Sequence, residues 1–520
     1  MRAATSPLLL PGLGYSSVAL LRNHITLLAV ARSGIAAVEP IEGEGMAGRR
    51  GPVKSAVRPS RSGRFSDRNL ELVLLLGAVL ICCYGYAETA LAVSGKLSPS
   101  MALTCLAAIA LPVVCHGAVR RFAPHADPLI LPLATLLSGL GLVLIHRLDL
   151  AYAAHYRHAA VAASGQLVWC VIAVVVFAAA VALLRDHRRL QRYPYVTITV
   201  GLVLLMAPAF YPGDVYGAKR WIFIGPLSFQ PGEFVKIIIV VFFAGYLTLR
   251  RDALALAGRR LLGMYLPRGR QLGPVAAVWI LSLLVLIFER DLGTSLIFFG
   301  LFVMMLYIAT ERTSWVVFGV VMFAVGAFVV GSFEPHVHGR VVAWLHPMDI
   351  FLPPDKRPAG LVSDQAAQAL FSFGSGGILG TGLGQGHPEL IGFAGRSDFI
   401  LTTVGEELGL TGVTIVILLY ALLAERGLRT ALTVTDPFGK LLAGGLAAAL
   451  VLQVFVVCGG VTGLIPLTGK ALPFLAQGGS SMVANWLLVA VLIKVSDTAR
   501  RPPPVPTADV SAAETQLVRP

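Results

Sequence analysis

The stretch GRSDFILTTVGEELGLTG, residues 395–412, opens an apolar run that continues to residue 424 and nevertheless carries Asp398, Glu406 and Glu407. A run of about 17–25 apolar residues is what a helix needs to cross the hydrocarbon core of a bilayer. Ionisable groups placed there are costly, so each one marks a site. With one helix starting near Asp398, the residues Asp398, Thr402, Gly405, Gly409 and Gly412 share a face, because offsets of four and seven return to nearly the same azimuth. Small residues on such a face suit close helix contact or a cavity wall. Asp398 stands at its end, where it either caps the helix or meets a substrate. Glu406 and Glu407, deeper in the run, read as buried partners of cations or backbone.

The rest of the chain repeats the apolar pattern. Of its 520 residues 56% are hydrophobic and 13% charged, and the mean hydropathy is +0.76. Soluble domains hold about 45–50% apolar and about 25% charged residues, so this is the composition of a polytopic membrane protein. Apolar runs of spanning length fall at 69–92, 99–117, 128–146, 165–184, 194–211, 231–249, 274–289, 292–309, 314–332, 399–424, 440–462 and 472–494, predicting an all-α bundle of about twelve transmembrane helices.

The net charge of +14 lies between these runs. Residues 46–68 hold seven Arg and Lys against the single acid Asp67, with no aromatic residue before Phe65. That is a cytoplasmic anchor beside anionic headgroups and argues against nucleic-acid binding. With the N-terminus inside, the inner loops hold sixteen Lys and Arg and the short outer ones six: Lys96, Arg147, Arg157, Lys219, Arg220 and Lys470. Positive charge stays inside, which predicts both termini in the cytoplasm and the one long loop, 333–398, outside. This loop carries the Gly-rich tract GSGGILGTGLGQG (374–386) and the short amphipathic piece DQAAQALFSF, and loops this long are usually functional. The expected organisation is a basic, disordered tail over 1–68, N-terminal helices over 69–194, a motif-bearing core over 195–497 and a disordered cytoplasmic tail over 498–520. Met46 is an alternative start.

Further polar clusters gather at the outer ends of the spans. In GAKRWIFIGPLSFQPGEFVK (217–236), Gly225 and Pro226 predict a turn and Pro231 the first turn of a helix. Glu233 and Lys236 then form an i, i+3 pair, while Lys219 and Arg220 are surface charges or phosphate ligands. In FERDLGTSL (288–296), Asp291 suits an N-cap. In TGLIPLTGKALPFLAQGGSSMVANW (462–486), Pro466, Pro473 and GGSS interrupt the last span, with Lys470 on the turn. Broken backbone at membrane depth survives only inside protein or along a wet cavity, so a polar cavity opening outward is implied.

Other chemistries lack their signatures. The six cysteines all fall in apolar runs without C-x-x-C spacing and read as packing residues. There is no G-x-x-x-x-G-K-[ST], no D-x-D and no H-E-x-x-H, and GTGLGQG does not follow a strand of a βαβ unit. Energy must come from an ion gradient or from the substrate. A transporter or lipid flippase and an inert scaffold are the rival readings. A carrier wants ionisable groups near the midplane, whereas these gather at one end.

The motifs GAKRWIFIGPLSFQPGEFVK, ERDLGTS, QAAQALFSFGSGGILGTGLGQG, SDFILTTVGEELGLTG and TGLIPLTGKALPFLAQGGSS occur in the order of the SEDS family, typified by RodA, FtsW and SpoVE, which this sequence resembles over roughly 195–497. The whole is more similar to the RodA branch. The resemblance implies a ten-helix core preceded here by two extra N-terminal helices. It also implies a peptidoglycan glycosyltransferase that polymerises lipid II at the outer face of the bacterial cytoplasmic membrane, serving cell elongation, shape or division with a class B penicillin-binding transpeptidase. Carried over by motif, the essential acid falls on Asp398 and the family's Glu and Lys pair on Glu233 and Lys236. Arg290 departs from the usual proline before Asp-Leu-Gly-Thr, Gly232 from the usual serine, and Ala476 and Gln477 from the residues usual before Gly-Gly-Ser-Ser. The expected catalyst is Asp398 as general base. The expected substrate contacts are Glu233, Lys236, Lys219, Arg220, Arg396, Lys470 and Ser480. A divalent cation, Mg or Mn, is the candidate cofactor, with no metal ligand assigned.

Overall fold

The structure, a computed structural model, describes residues 62–97, 101–156, 160–211, 220–225, 227–255, 291–333, 335–361 and 363–502, with isolated positions between 260 and 288. Its elements are α1 (Ser62–Ser94), α2 (Met101–Phe122), α3 (Ile130–His155), α4 (Ala163–Leu183), α5 (Pro194–Met206), the hairpin β1 (Ile222–Ile224) and β2 (Leu227–Phe229), α6 (Pro231–Ala255), α7 (Leu292–Thr310), α8 (Thr313–Phe333), α9 (Pro335–Leu345), α10 (Gln365–Gly376), α11 (Ile400–Glu407), α12 (Gly409–Thr433), α13 (Pro437–Val461) and α14 (Gly479–Ala499). Among the described residues nine helices are long and apolar enough to cross a membrane, and Pro194–Met206 and Thr313–Phe328 are shorter apolar helices. The predicted span 274–289 lies largely outside the described residues, as do Glu289, Arg290 and Lys219.

The bundle is organised around α14, which is buried along nearly its whole length and packs against α3, α4, α6, α12 and α13. With no water in a bilayer core, helices satisfy their backbone internally and leave only their ends to be managed. Those ends are where the chain uses its polar residues. Pro231 opens α6 and Asp291 caps α7, accepting from the Thr294 N–H at 3.0 Å and the Thr294 hydroxyl at 2.7 Å, as the sequence predicts. The amphipathic piece of the long loop is α10.

Three expectations are corrected. The run 399–424 is not one helix: it is α11 and α12, broken at Leu408 and Gly409, so Asp398 and Gly412 do not share a helical face. Gly409 has φ +65°, and a Cβ there would meet the backbone of Ile378 and Gly380 in the Gly-rich tract, so the break is built from glycine for close approach. Arg147 is not in a loop; α3 continues past it to His155 and buries it. The last span begins at Gly479 rather than 472, because Pro473 and the glycines before Ser480 keep 472–478 out of the helix.

Candidate functional site

The starts of α6, α7 and α14, the segment after α13 and the middle of α9, at Arg340, meet at one end of the bundle. Their polar side chains form a closed network. The Lys236 ammonium donates to Glu233 at 2.9 Å, to Gln453 of α13 at 2.5 Å and to Asn485 of α14 at 2.9 Å. Lys470, from the segment after α13, lies 3.1 Å from Glu233 and 3.7 Å from Asp291 and donates to the Thr294 hydroxyl at 3.0 Å. Gly293 makes this possible, since a Cβ there would collide with the Lys470 stem. Glu233, Lys236, Asp291 and Lys470 are all buried, and a void of about 10 Å³, room for one water, is lined by Glu233, Lys236, Thr294, Gln453 and Lys470.

Two carboxylates facing two ammoniums neutralise one another where isolated charge would be prohibitive. Burial alone would push the Asp291 carboxyl up, but Lys470 and Arg220 outweigh it and hold it below the ordinary range. Burial would likewise push the Lys470 amine down, and Asp291 and Glu233 more than reverse this. Of the sequence candidates, then, Glu233, Lys236 and Lys470 are saturated by their own neighbours. Ser480 is engaged too: its hydroxyl accepts from the Gln230 N–H at 2.8 Å, tying the β1–β2 hairpin to the start of α14.

Arg396 is held elsewhere. Its guanidinium pairs with Asp149 at 2.7 Å, donates to the Ala160 carbonyl at 2.9 Å and lies 4.5 Å above the Tyr152 ring. Asp149 also accepts from the N–H groups of Ala162 and Ala163 at the start of α4, at 2.9 and 2.7 Å. Arg396 thus joins the long loop to α3 and α4.

Glu406 and Glu407 clamp the Gly-rich tract. Arg147 of α3 pairs with Glu407 at 2.7 Å and donates to the Gly386 carbonyl at 2.8 Å. The N–H of Gly384 reaches Glu407 at 3.1 Å, that of His387 reaches Glu406 at 2.6 Å, and Thr381 and Gly382 donate to the carbonyls of Glu406 and Glu407, each at 2.9 Å.

Asp398 differs from all of these. The N-cap of α11 is Phe399 without a side-chain bond, so Asp398 is not spent on capping. The residue is part-exposed, and its described side-chain hydrogen bond comes from Ser397 at 2.8 Å. Its carboxyl lies deep enough that burial pushes it above the ordinary range, against the pull of Ser397, Arg220 and Arg340. Both arginines are partly exposed and anchored on one segment, Arg220 to the Gly469 carbonyl at 2.9 Å and Arg340 to the Leu467 carbonyl at 3.1 Å. Sequence reasoning named Arg220 and missed Arg340, which comes from α9 within the long loop. The only signal for it was a lone arginine in VHGRVVAW.

The arrangement sets a carboxyl within the field of two guanidiniums, one of which, Arg220, also reaches Asp291 of the closed ionic network at 3.9 Å. The sequence profile of the family described as "Cell cycle protein", of FtsW, RodA and SpoVE, matches residues 128–501, leaving α1 and α2 ahead of it. The chain is 44% identical over 457 residues to the peptidoglycan glycosyltransferase RodA of Mycobacterium tuberculosis H37Rv, covering 87% of this chain and 96% of that one. It is 33% identical over 329 residues to a probable peptidoglycan glycosyltransferase FtsW of Geobacter sulfurreducens, 62% of this chain and 83% of that one. A solved structure described as "Structural coordination of polymerization and crosslinking by a peptidoglycan synthase complex" aligns with 22% identity and a TM-score of 0.49 over 77% of this chain and 98% of its own. The chain is a multi-pass membrane protein and, on the RodA side, belongs to the FtsW, RodA and SpoVE family.

Proposed function

We propose that the chain polymerises peptidoglycan, transferring disaccharide-pentapeptide units from lipid II into glycan strands at the outer face of the bacterial cytoplasmic membrane, with both termini in the cytoplasm. The observation that carries this reading is Asp398: a part-exposed residue, unused as a cap, whose carboxyl lies in the field of Arg220 and Arg340. A sugar hydroxyl attacks the anomeric carbon of a second unit. The new C–O bond forms as the bond to the diphosphate breaks, the diphosphate leaves with the electron pair, and Asp398 takes the hydroxyl proton. Arg220 and Arg340 face the charge that grows on the leaving diphosphate. Glu233, Lys236, Lys470 and Asp291 hold the helix ends that position these groups, and Arg396, Glu406 and Glu407 hold the loop.

A divalent cation fits poorly here. Among the described residues no three His, Cys, Asp or Glu side chains come together, and Asp398 is a single carboxylate beside two guanidiniums. The proposed steps therefore use none. A class B penicillin-binding transpeptidase is the proposed partner.

Purified protein in liposomes containing lipid II tests the reading. Glycan polymer is expected; lipid II crossing the bilayer without polymer would mark a flippase instead. In the same assay Arg340→Ala is expected to lower kcat/KM by about 10–100-fold, the worth of one charge-assisted hydrogen bond, with Arg340→Lys in between. Wild-type rates for Arg340→Ala would remove it from the site.

A base must be ionised to act. Because burial raises the Asp398 pKa above the ordinary aspartate value of about 3.9, activity is expected to fall on acidification with a midpoint above that value. Arg340→Ala removes a neighbouring positive charge that lowers this pKa, so it should move the midpoint further up. A midpoint at or below the ordinary value would contradict the assignment.

A further inference from the structure

Where α1, α2, α3, α4 and α14 meet there is a cavity of about 60 Å³. One water needs about 10–15 Å³ of such space, so this one has room for several methylene groups. Its lining is apolar, with Cys82, Ala108, Pro112, Cys170 and Trp486 among its residues. Trp486 spends its indole N–H on the Ser138 hydroxyl at 3.2 Å. Cavities with such walls stay dry and take up apolar molecules.

Beside the Ser138 hydroxyl, which the indole engages, the lining holds a second hydroxyl, that of Thr135. Thr135 is only 8% exposed, and its hydroxyl has no hydrogen-bond partner among the described residues, although a helical threonine ordinarily bonds back one turn. In α2, Pro112 has no N–H to give the carbonyl of Ala108 one turn earlier, and both residues line the cavity. An empty cavity would leave its walls without dispersion partners and a buried hydroxyl unpaired. The outer faces of α1 and α2 expose Leu76, Leu80, Leu106 and Ile109, so the apolar material at hand is bilayer hydrocarbon.

We propose that this cavity binds one unsaturated hydrocarbon chain, whose double bond accepts the Thr135 hydroxyl. A hydroxyl donor facing a π bond gains a weak attraction that a saturated chain does not offer. Two sources have this chemistry, the acyl chain of a membrane phospholipid and the tail of a polyprenyl carrier. The cavity is completed by α1 and α2, which precede the residues matched by the family profile, and it is separate from the Asp398 site. Binding there does not depend on the proposed glycosyl transfer.

The test uses the full chain in nanodiscs with two photoreactive probes, a phosphatidylglycerol carrying a mid-chain diazirine in an unsaturated acyl chain and a polyprenyl phosphate carrying one in its tail. Adducts located by mass spectrometry are expected on the cavity-lining peptides of α3 and α4, and the probe that gives them identifies the source. Ala108→Phe fills an existing cavity, so it should cut those adducts by about tenfold or more without lowering thermal stability. Thr135→Val keeps the shape and should cut them by about two- to fivefold, with no effect on a saturated diazirine lipid. Should Ala108→Phe misfold, Thr135→Val still decides. The proposal fails if neither probe labels the lining, if Thr135→Val treats saturated and unsaturated probes alike, or if a folded Ala108→Phe labels as well as wild type.

Discussion

Asp398→Asn is expected to lower glycan synthesis from lipid II by about 10²–10⁴-fold, the usual worth of a positioned general base, while the protein remains folded. Asparagine keeps the size of the side chain and its ability to accept from Ser397, and no helix cap is lost, because α11 is capped by the Phe399 backbone alone. What disappears is an atom that can take a proton. The contrast with the neighbouring acids makes the result interpretable. Glu407→Gln would weaken the pair with Arg147 and loosen the Gly-rich tract, so any activity it loses should come with a loss of stability. Asp398→Asn should separate the two. The assay is polymer formed by purified protein in liposomes, read beside the thermal unfolding midpoint. Activity within tenfold of wild type would remove Asp398 as the base. A lowered midpoint would mean that it supports the loop as the two glutamates do.

The three carboxylates of residues 395–412 therefore have different reasons to be there, and only part of this was legible beforehand. Local signals were readable: Pro231 at a helix start, Asp291 as a cap, apolar runs of spanning length, and an amphipathic piece, DQAAQALFSF, in the long loop. Burial of Glu406 and Glu407 was readable because carboxylates within an apolar run need partners. The identity of those partners was not. Arg147 lies 260 residues from Glu407, and an arginine just past a 19-residue apolar run looks the same whether the helix stops or continues. The break at Leu408 and Gly409 was hidden for a related reason: the run goes on to residue 424, and the close approach of Ile378 and Gly380 to Gly409 comes from a distant segment. Arg340 was missed because nothing in its own stretch distinguishes it. Its meaning comes from Leu467 and from the shared neighbourhood of Arg220 and Asp398.

Lys470→Met is expected to destabilise the folded protein by about 3–5 kcal/mol, the cost of leaving buried charge uncompensated. Glu233 and Asp291 are each 1% exposed, and Lys470 is the cation they share. Methionine fits the channel left by Gly293 but brings no charge, so Asp291 would rely on Arg220, 3.9 Å away and partly exposed, and Glu233 on Lys236 alone. Adding Asp291→Asn to Lys470→Met should recover much of the loss. Asparagine caps a helix as well as aspartate, so α7 keeps its N-cap while the surplus negative charge goes. A double variant more stable than the Lys470→Met single is a non-additivity that only a shared charge balance produces. Activity should follow stability through this series, unlike at Asp398. If Lys470→Met instead folds as well as wild type but fails to polymerise lipid II, the lysine is reaching substrate, and the ionic network opens during turnover.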